Sequence, residues 1–132
     1  MSVKTENINF SIINHTKGKL TSLPFVQYKN AILGENYNLV VNFVSDTEIK
    51  KLNKIYRNID KPTDILSFPL TKDTGEIFIS LKYANKKAPT FNRDNTNYLA
   101  FLVIHGLVHL KGFEHCSKME EIEAEYQKIF GI

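Results

Sequence analysis

Apolar residues recur along this chain with two different periods, and the switches between them mark out its elements. From Ile8 to Ile13 apolar and polar residues alternate, the two-residue period of a strand with one buried face. From Leu23 to Leu33, Phe25, Val26, Ala31 and Ile32 fit a short helix following Pro24. Tyr37 to Val44 is rich in β-formers and predicts another strand. Ser45 and Glu48 form a capping box that opens a helix. Ile49, Leu52, Tyr56 and Ile59 then return at helical spacing, which puts Tyr56 in the expected core. Pro62 interrupts this helix or the loop just after it. Ile65 to Leu70 and Glu76 to Ser80 predict two strands joined by a turn at Asp73-Thr74-Gly75. Leu81 to Ala88 is a short helix that Pro89 stops, and Thr90 to Asp94 is a polar loop. Asn95 to Lys111 is apolar almost all round, the pattern of a helix buried on every side. Ser117 and Glu120 form a second capping box, opening a last helix from Lys118 to Phe130.

Strands and helices in this order give an α+β or α/β class: a small sheet of about four strands with helices packed against it. The 132 residues are expected to form a single domain, 1–132, since no repeat, low-complexity tract or linker divides them. A hydrophobic fraction of 42% is ordinary for a folded domain. The longest apolar run, Tyr98 to Ile104, is far too short to cross a membrane, and no leader pattern opens the chain. The lone Cys116 excludes an internal disulfide and suits a reducing compartment, so a cytoplasmic protein is expected. The net charge of +3 is compatible with a polyanionic partner without establishing one. The lysines are spread along the chain, as on solvated helix faces, and no paired-aromatic RNA-stacking signature is present.

The chemistry concentrates at the end of the apolar helix. The run HGLVHLKGFEH, from His105 to His115, holds three of the four histidines in H-x3-H-x2-G-x2-H spacing. Residues four apart on a helix lie about one turn apart on nearly the same face, so His105 and His109 can reach one ion. Gly112 can take the positive-φ conformation that ends a helix and brings His115 round as a third ligand. Three imidazoles leave a fourth tetrahedral position open, the arrangement of a catalytic zinc site. His15, far away near the N-terminus, reads as a surface or strand histidine. Cys116 reads as an ordinary, partly buried cysteine, because adjacent side chains rarely converge on one ion with His115. Metzincin proteases share the histidine spacing but carry a glutamate directly after the first histidine as general base. Here that position is Gly106, so a peptidase mechanism lacks its base.

A second segment, LNKIYRNIDKPTDILSFP from Leu52 to Pro69, joins the histidine run in a pattern that resembles the YbeY family of zinc-dependent endoribonucleases. Gly75 to Ser80, between them, resembles the short strand which that family places before its next helix. The resemblance covers about residues 36 to 131. It implies a mixed sheet with the zinc site at the end of the buried central helix. One zinc ion per chain would be held by His105, His109 and His115. It also implies a single-strand endoribonuclease acting in small-subunit ribosomal RNA maturation and ribosome quality control, with ribosomal proteins as further partners. Arg57, which from helix position alone is a surface arginine, matches the motif arginine and by that resemblance faces the metal cleft as a catalytic residue. An arginine fork suits bidentate phosphate contacts. Asp64 and Ser67 fall on matched positions where substrate contact and a structural role in the turn and edge strand are equally open. The family's acidic residue before the third histidine is aspartate. Here it is Glu114, a candidate to support the ligands from behind. Neither the general base nor the attacking oxygen follows from the sequence. Two other functions fit the same residues: a zinc hydrolase of another substrate, such as a peptide, and a non-catalytic zinc-stabilised ribosome-assembly protein that binds RNA.

Overall fold

The computed structural model describes residues 2–7, 9–112 and 117–132. Strands β1 (Ser2–Asn7) and β2 (Phe10–Asn14) form an antiparallel hairpin. Helix α1 (Phe25–Ile32) leads to β3 (Asn38–Phe43), which lies parallel to β2. Helix α2 (Asp46–Arg57) leads to the antiparallel pair β4 (Ile65–Thr71) and β5 (Thr74–Ile79). β5 inserts beside β3, in parallel, which gives the order β1-β2-β3-β5-β4. The chain then runs through α3 (Leu81–Lys87), α4 (Asn95–Leu110) and α5 (Ser117–Phe130). This is the expected mixed α+β architecture, with one strand more than the pattern suggested. β1, Ser-Val-Lys-Thr-Glu-Asn, carries only one strongly apolar residue, too few to register as a half-buried strand.

Two further expectations are corrected. Pro89 does not simply stop α3: residues Ala88–Phe91 continue as a 3₁₀ turn with proline in its first positions, where a missing N–H leaves no bond unmade. Tyr56 is not core. It is 64% exposed, and its ring leans on Phe68 with centroids 5.1 Å apart. α2 buries Ile49 against Val44 and Leu66 on one face of the sheet. Its last turn reaches edge strand β4, where, among the described residues, no further strand extends the sheet beneath Tyr56.

α4 is the central helix. Ten of its residues, from Tyr98 to Leu110, are buried: most pack with β2, β3, β5, α1 and α5, while Tyr98 and Leu102 pack with Ala84 of α3 and with Ala88. It begins where Asp94 accepts the N–H of Asn97 at 2.7 Å. It ends at Gly112, whose φ of 107° only glycine adopts without strain. A Cβ at Gly106 would stand 2.8 Å from Ile65 Cδ1, 3.0 Å from Ser67 Oγ and 3.2 Å from Ile77 Cδ1. Glycine therefore lets α4 seat directly on β4 and β5. No described helix is long and apolar enough to cross a membrane.

Candidate metal and phosphate cleft

A cavity of about 410 Å³ lies beside edge strand β4. Its lining runs through six consecutive residues, Thr63 to Phe68, and is completed by Arg57 from α2 and by His105 and His109 from α4. Successive side chains point to opposite faces of a sheet, so the four that belong to β4, Ile65 to Phe68, can border one cavity only if it follows the strand's open edge. The close seating of α4 at Gly106 brings the helix that carries the histidines against this edge.

His105 and His109 are partly exposed on a helix whose intervening residues, Gly106 to Val108, are all buried. Both stand on an element that packing holds rigid. The Nδ1–H of His105 donates to Oε1 of Glu123, a buried carboxylate on α5. A carboxylate only accepts, so in the neutral ring the proton sits on Nδ1 and the lone pair on Nε2. Metal-ligating histidines are held in this way, by a hydrogen-bonded carboxylate behind the ring. Among the described residues no group of three or more His, Cys, Asp or Glu side chains is placed to hold a metal. His115, the third expected ligand, lies outside them, as do Glu114 and Cys116. Two imidazoles, one of them backed by a carboxylate, are donors of the kind that a borderline-soft cation such as zinc takes.

Arg57 is the last residue of α2 and is exposed at the cleft. Asn58 closes the helix in the left-handed region, φ 58°; its N–H donates to Lys54 O and that of Ile59 to Asn53 O. Asn53 Nδ2 donates to Lys61 O at 2.8 Å and so ties the returning loop back to the helix. Asp64 and Ser67 both border the cleft and both have structural duties. Asp64 Oδ2 accepts the Tyr98 hydroxyl at 2.8 Å, and its carbonyl accepts the Ser80 N–H at 3.0 Å. Burial, reinforced by that bond to Asp64, pushes the Tyr98 phenol well above the usual tyrosine range. Ser67 Oγ packs over Gly106. His15 is exposed after β2 and pairs through Nε2 with Asn42 Oδ1 at 3.0 Å, as a strand-side histidine would.

Glu123 and Tyr98 are the site residues that sequence reasoning missed. A signal existed for the first: Glu123 falls on the apolar stripe of α5 with Met119, Ile122 and Tyr126, where an acidic residue needs a buried partner.

A family model described as Endoribonuclease YbeY matches residues 3–130, reaching back into β1. A protein named Endoribonuclease YbeY from Oenococcus oeni is 35% identical over 111 residues, covering 76% of this chain and 70% of its own. Another of that name, from Aliarcobacter butzleri, is 39% identical over 108 residues, covering 77% and 76%. A solution structure of a Thermotoga maritima protein superposes with a TM-score of 0.66 at 30% identity, covering 92% of this chain and 89% of that one.

Proposed function

The chain belongs to the YbeY endoribonuclease family, and from that premise we propose that it is a zinc-dependent endoribonuclease cutting single-stranded RNA. The proposal extends to a cytoplasmic, single-domain protein acting in small-subunit ribosomal RNA maturation and ribosome quality control, in contact with ribosomal RNA and ribosomal proteins. The observation that carries the reading is the convergence of two imidazoles, one helical turn apart, and an exposed arginine on one cleft.

His105, His109 and His115 would hold one zinc ion, with Glu123 behind His105 and Glu114 beside His115 as supports. Bound there, zinc supplies Lewis acidity towards a phosphate oxygen. Arg57 contributes a planar cation whose fork binds two phosphoryl oxygens and meets the charge that grows on them during cleavage. Asp64 and Ser67, which also line the cleft, orient the ribose-phosphate. Gly106 favours RNA over peptide, because the position next to His105 has no carboxylate and is filled by the packing of Ile65 and Ser67.

The test is cleavage of a labelled single-stranded RNA, its hairpin form and a casein-type peptide, with and without added zinc, by the protein and by His109→Ala and Arg57→Ala. Single-stranded RNA should be cut in a zinc-dependent way. His109→Ala should be inactive. Arg57→Ala should fold and bind zinc normally yet lose roughly a hundredfold in rate. Peptide hydrolysis lost in His109→Ala, with RNA left intact, would overturn the reading.

A further inference from the structure

Of the six large apolar side chains exposed among the described residues, three, Ile55, Tyr56 and Ile59, fall within five positions around the end of α2. Tyr56 differs from its neighbours because its ring is supported. It rests on Phe68 at 5.1 Å with a 59° tilt, and Phe68 rests in turn on Phe78 at 5.7 Å and 72°. Phe68 borders the cleft, and Arg57, the next residue after Tyr56, borders it too. An aromatic ring, two-thirds exposed, thus stands one residue from the cleft arginine and one ring from the cleft wall. Cations outnumber acids in this segment: Lys50, Lys51 and Lys54 on α2 and Lys61 in the following loop are all exposed, and the acids beside them are Asp46, Glu48 and Asp60, with Lys54 3.8 Å from Asp60. Exposed aromatic faces among cations are how proteins hold unpaired nucleic acid, because every base offers a π-face and every nucleotide a phosphate. A greasy patch made for a protein partner would be depleted of lysine at its centre.

We propose that Tyr56 is a base-stacking platform: its ring binds the face of a nucleobase next to the phosphodiester held at Arg57, with Phe68 as its support. The proposal rests on the endoribonuclease reading and gives single-strand preference a structural basis. In a duplex both faces of a base are already stacked, so none is open to the ring.

The experiment compares wild type, Tyr56→Phe and Tyr56→Leu on a single-stranded RNA of about a dozen nucleotides, and on a series carrying one abasic ribose stepped along it. Tyr56→Phe should behave as wild type. Tyr56→Leu should raise KM roughly tenfold, the loss expected for one stacked base, with kcat within about twofold. At one position next to the cut, the abasic RNA should raise KM about tenfold for wild type and cause no further loss for Tyr56→Leu. If Tyr56 only packed on Phe68, the abasic penalty would be the same in both proteins. An unchanged KM for Tyr56→Leu, or penalties that simply add, overturns the platform and hands the patch to a protein partner. Should wild type cut no RNA at all, Tyr56→Trp decides independently. The chain contains no tryptophan, so the new indole is the sole reporter. Quenching by single-stranded oligoribonucleotide keeps the platform while the cleavage reading falls; an unquenched indole overturns both.

Discussion

Gly106→Ala sets two well-calibrated effects against each other, and the structure decides between them. Alanine in a helix interior is favoured over glycine by about 0.8–1.0 kcal/mol, so on propensity alone the substitution should stabilise α4. The added methyl, however, would meet Ile65 Cδ1 at 2.8 Å, Ser67 Oγ at 3.0 Å and Ile77 Cδ1 at 3.2 Å, against an ordinary carbon–carbon separation of about 3.5–4.0 Å. One side-chain tip could rotate away. Three, arriving from two adjacent strands, leave it little room, and overpacking of this kind costs about 1–3 kcal/mol. The expected net result is a loss of about 1 kcal/mol, or roughly 3–4 °C in Tm for a chain of this length. Thermal and urea unfolding measure it. Ile65→Val removes the nearest contact atom and alone should cost about 0.5–1.5 kcal/mol. Combined with Gly106→Ala it should cost less than the sum, with a coupling of about 1 kcal/mol. Stabilisation by Gly106→Ala alone, close to the full helix-propensity gain, would refute the direct seating of α4 on β4 and with it the account of how the histidines reach the cleft.

Two further outcomes follow from the neighbouring contacts. Tyr98→Phe removes the hydroxyl that Asp64 accepts and should cost about 1–2 kcal/mol at neutral pH, by chemical denaturation; the raised Tyr98 phenol keeps its proton in the folded chain after the unfolded one has lost it, so wild-type stability should fall as pH climbs above about 10, and a slope there undiminished in Tyr98→Phe would contradict the assignment. Glu123→Gln keeps the shape behind His105 but removes the charge, and should weaken zinc binding roughly tenfold or more in a chelator-competition titration while the fold is retained; an unchanged affinity would separate Glu123 from the metal.

The elements with strong periodicity were legible. The all-round apolar pattern of α4 and the N-cap at Ser45, whose Oγ accepts the Glu48 N–H at 3.2 Å, needed no tertiary information. The misreadings have a common physical origin. Tyr56 obeys the helical period of its own segment, yet whether a ring is covered depends on where the sheet ends, and that is fixed by the pairing of strands far apart in sequence. β1 failed to register because its sequence has a single strongly apolar residue and so no alternation to read, while the pairing with β2 that makes it a strand lies outside its own segment. For the site, His105, His109 and Arg57 could be named from spacing and resemblance, because local motifs carry them. Glu123 reaches His105 from eighteen residues away, on another helix, and no local pattern encodes that meeting. Gly106 could be read from sequence as the absence of a base. Its positive role, as the space into which Ile65 and Ser67 fit, needed the packed helix and strand.

The position of β4 at the end of the sheet has a consequence for how the protein survives at high concentration. An outermost strand presents unpaired N–H and C=O groups, a template on which another chain can add itself and begin an aggregate. In β4 the second half is blunted: Pro69 has no N–H to offer, and the pairing register slips between Pro69 and Thr71. The first half, Ile65 to Phe68, has no such guard, and it is the stretch that borders the cleft. Replacing Pro69 with a β-former would lengthen the sticky edge and should promote self-association, whereas an RNA strand bound along the cleft would cover the part that proline leaves open. Substrate occupancy and colloidal solubility would then be linked through four residues of a single strand.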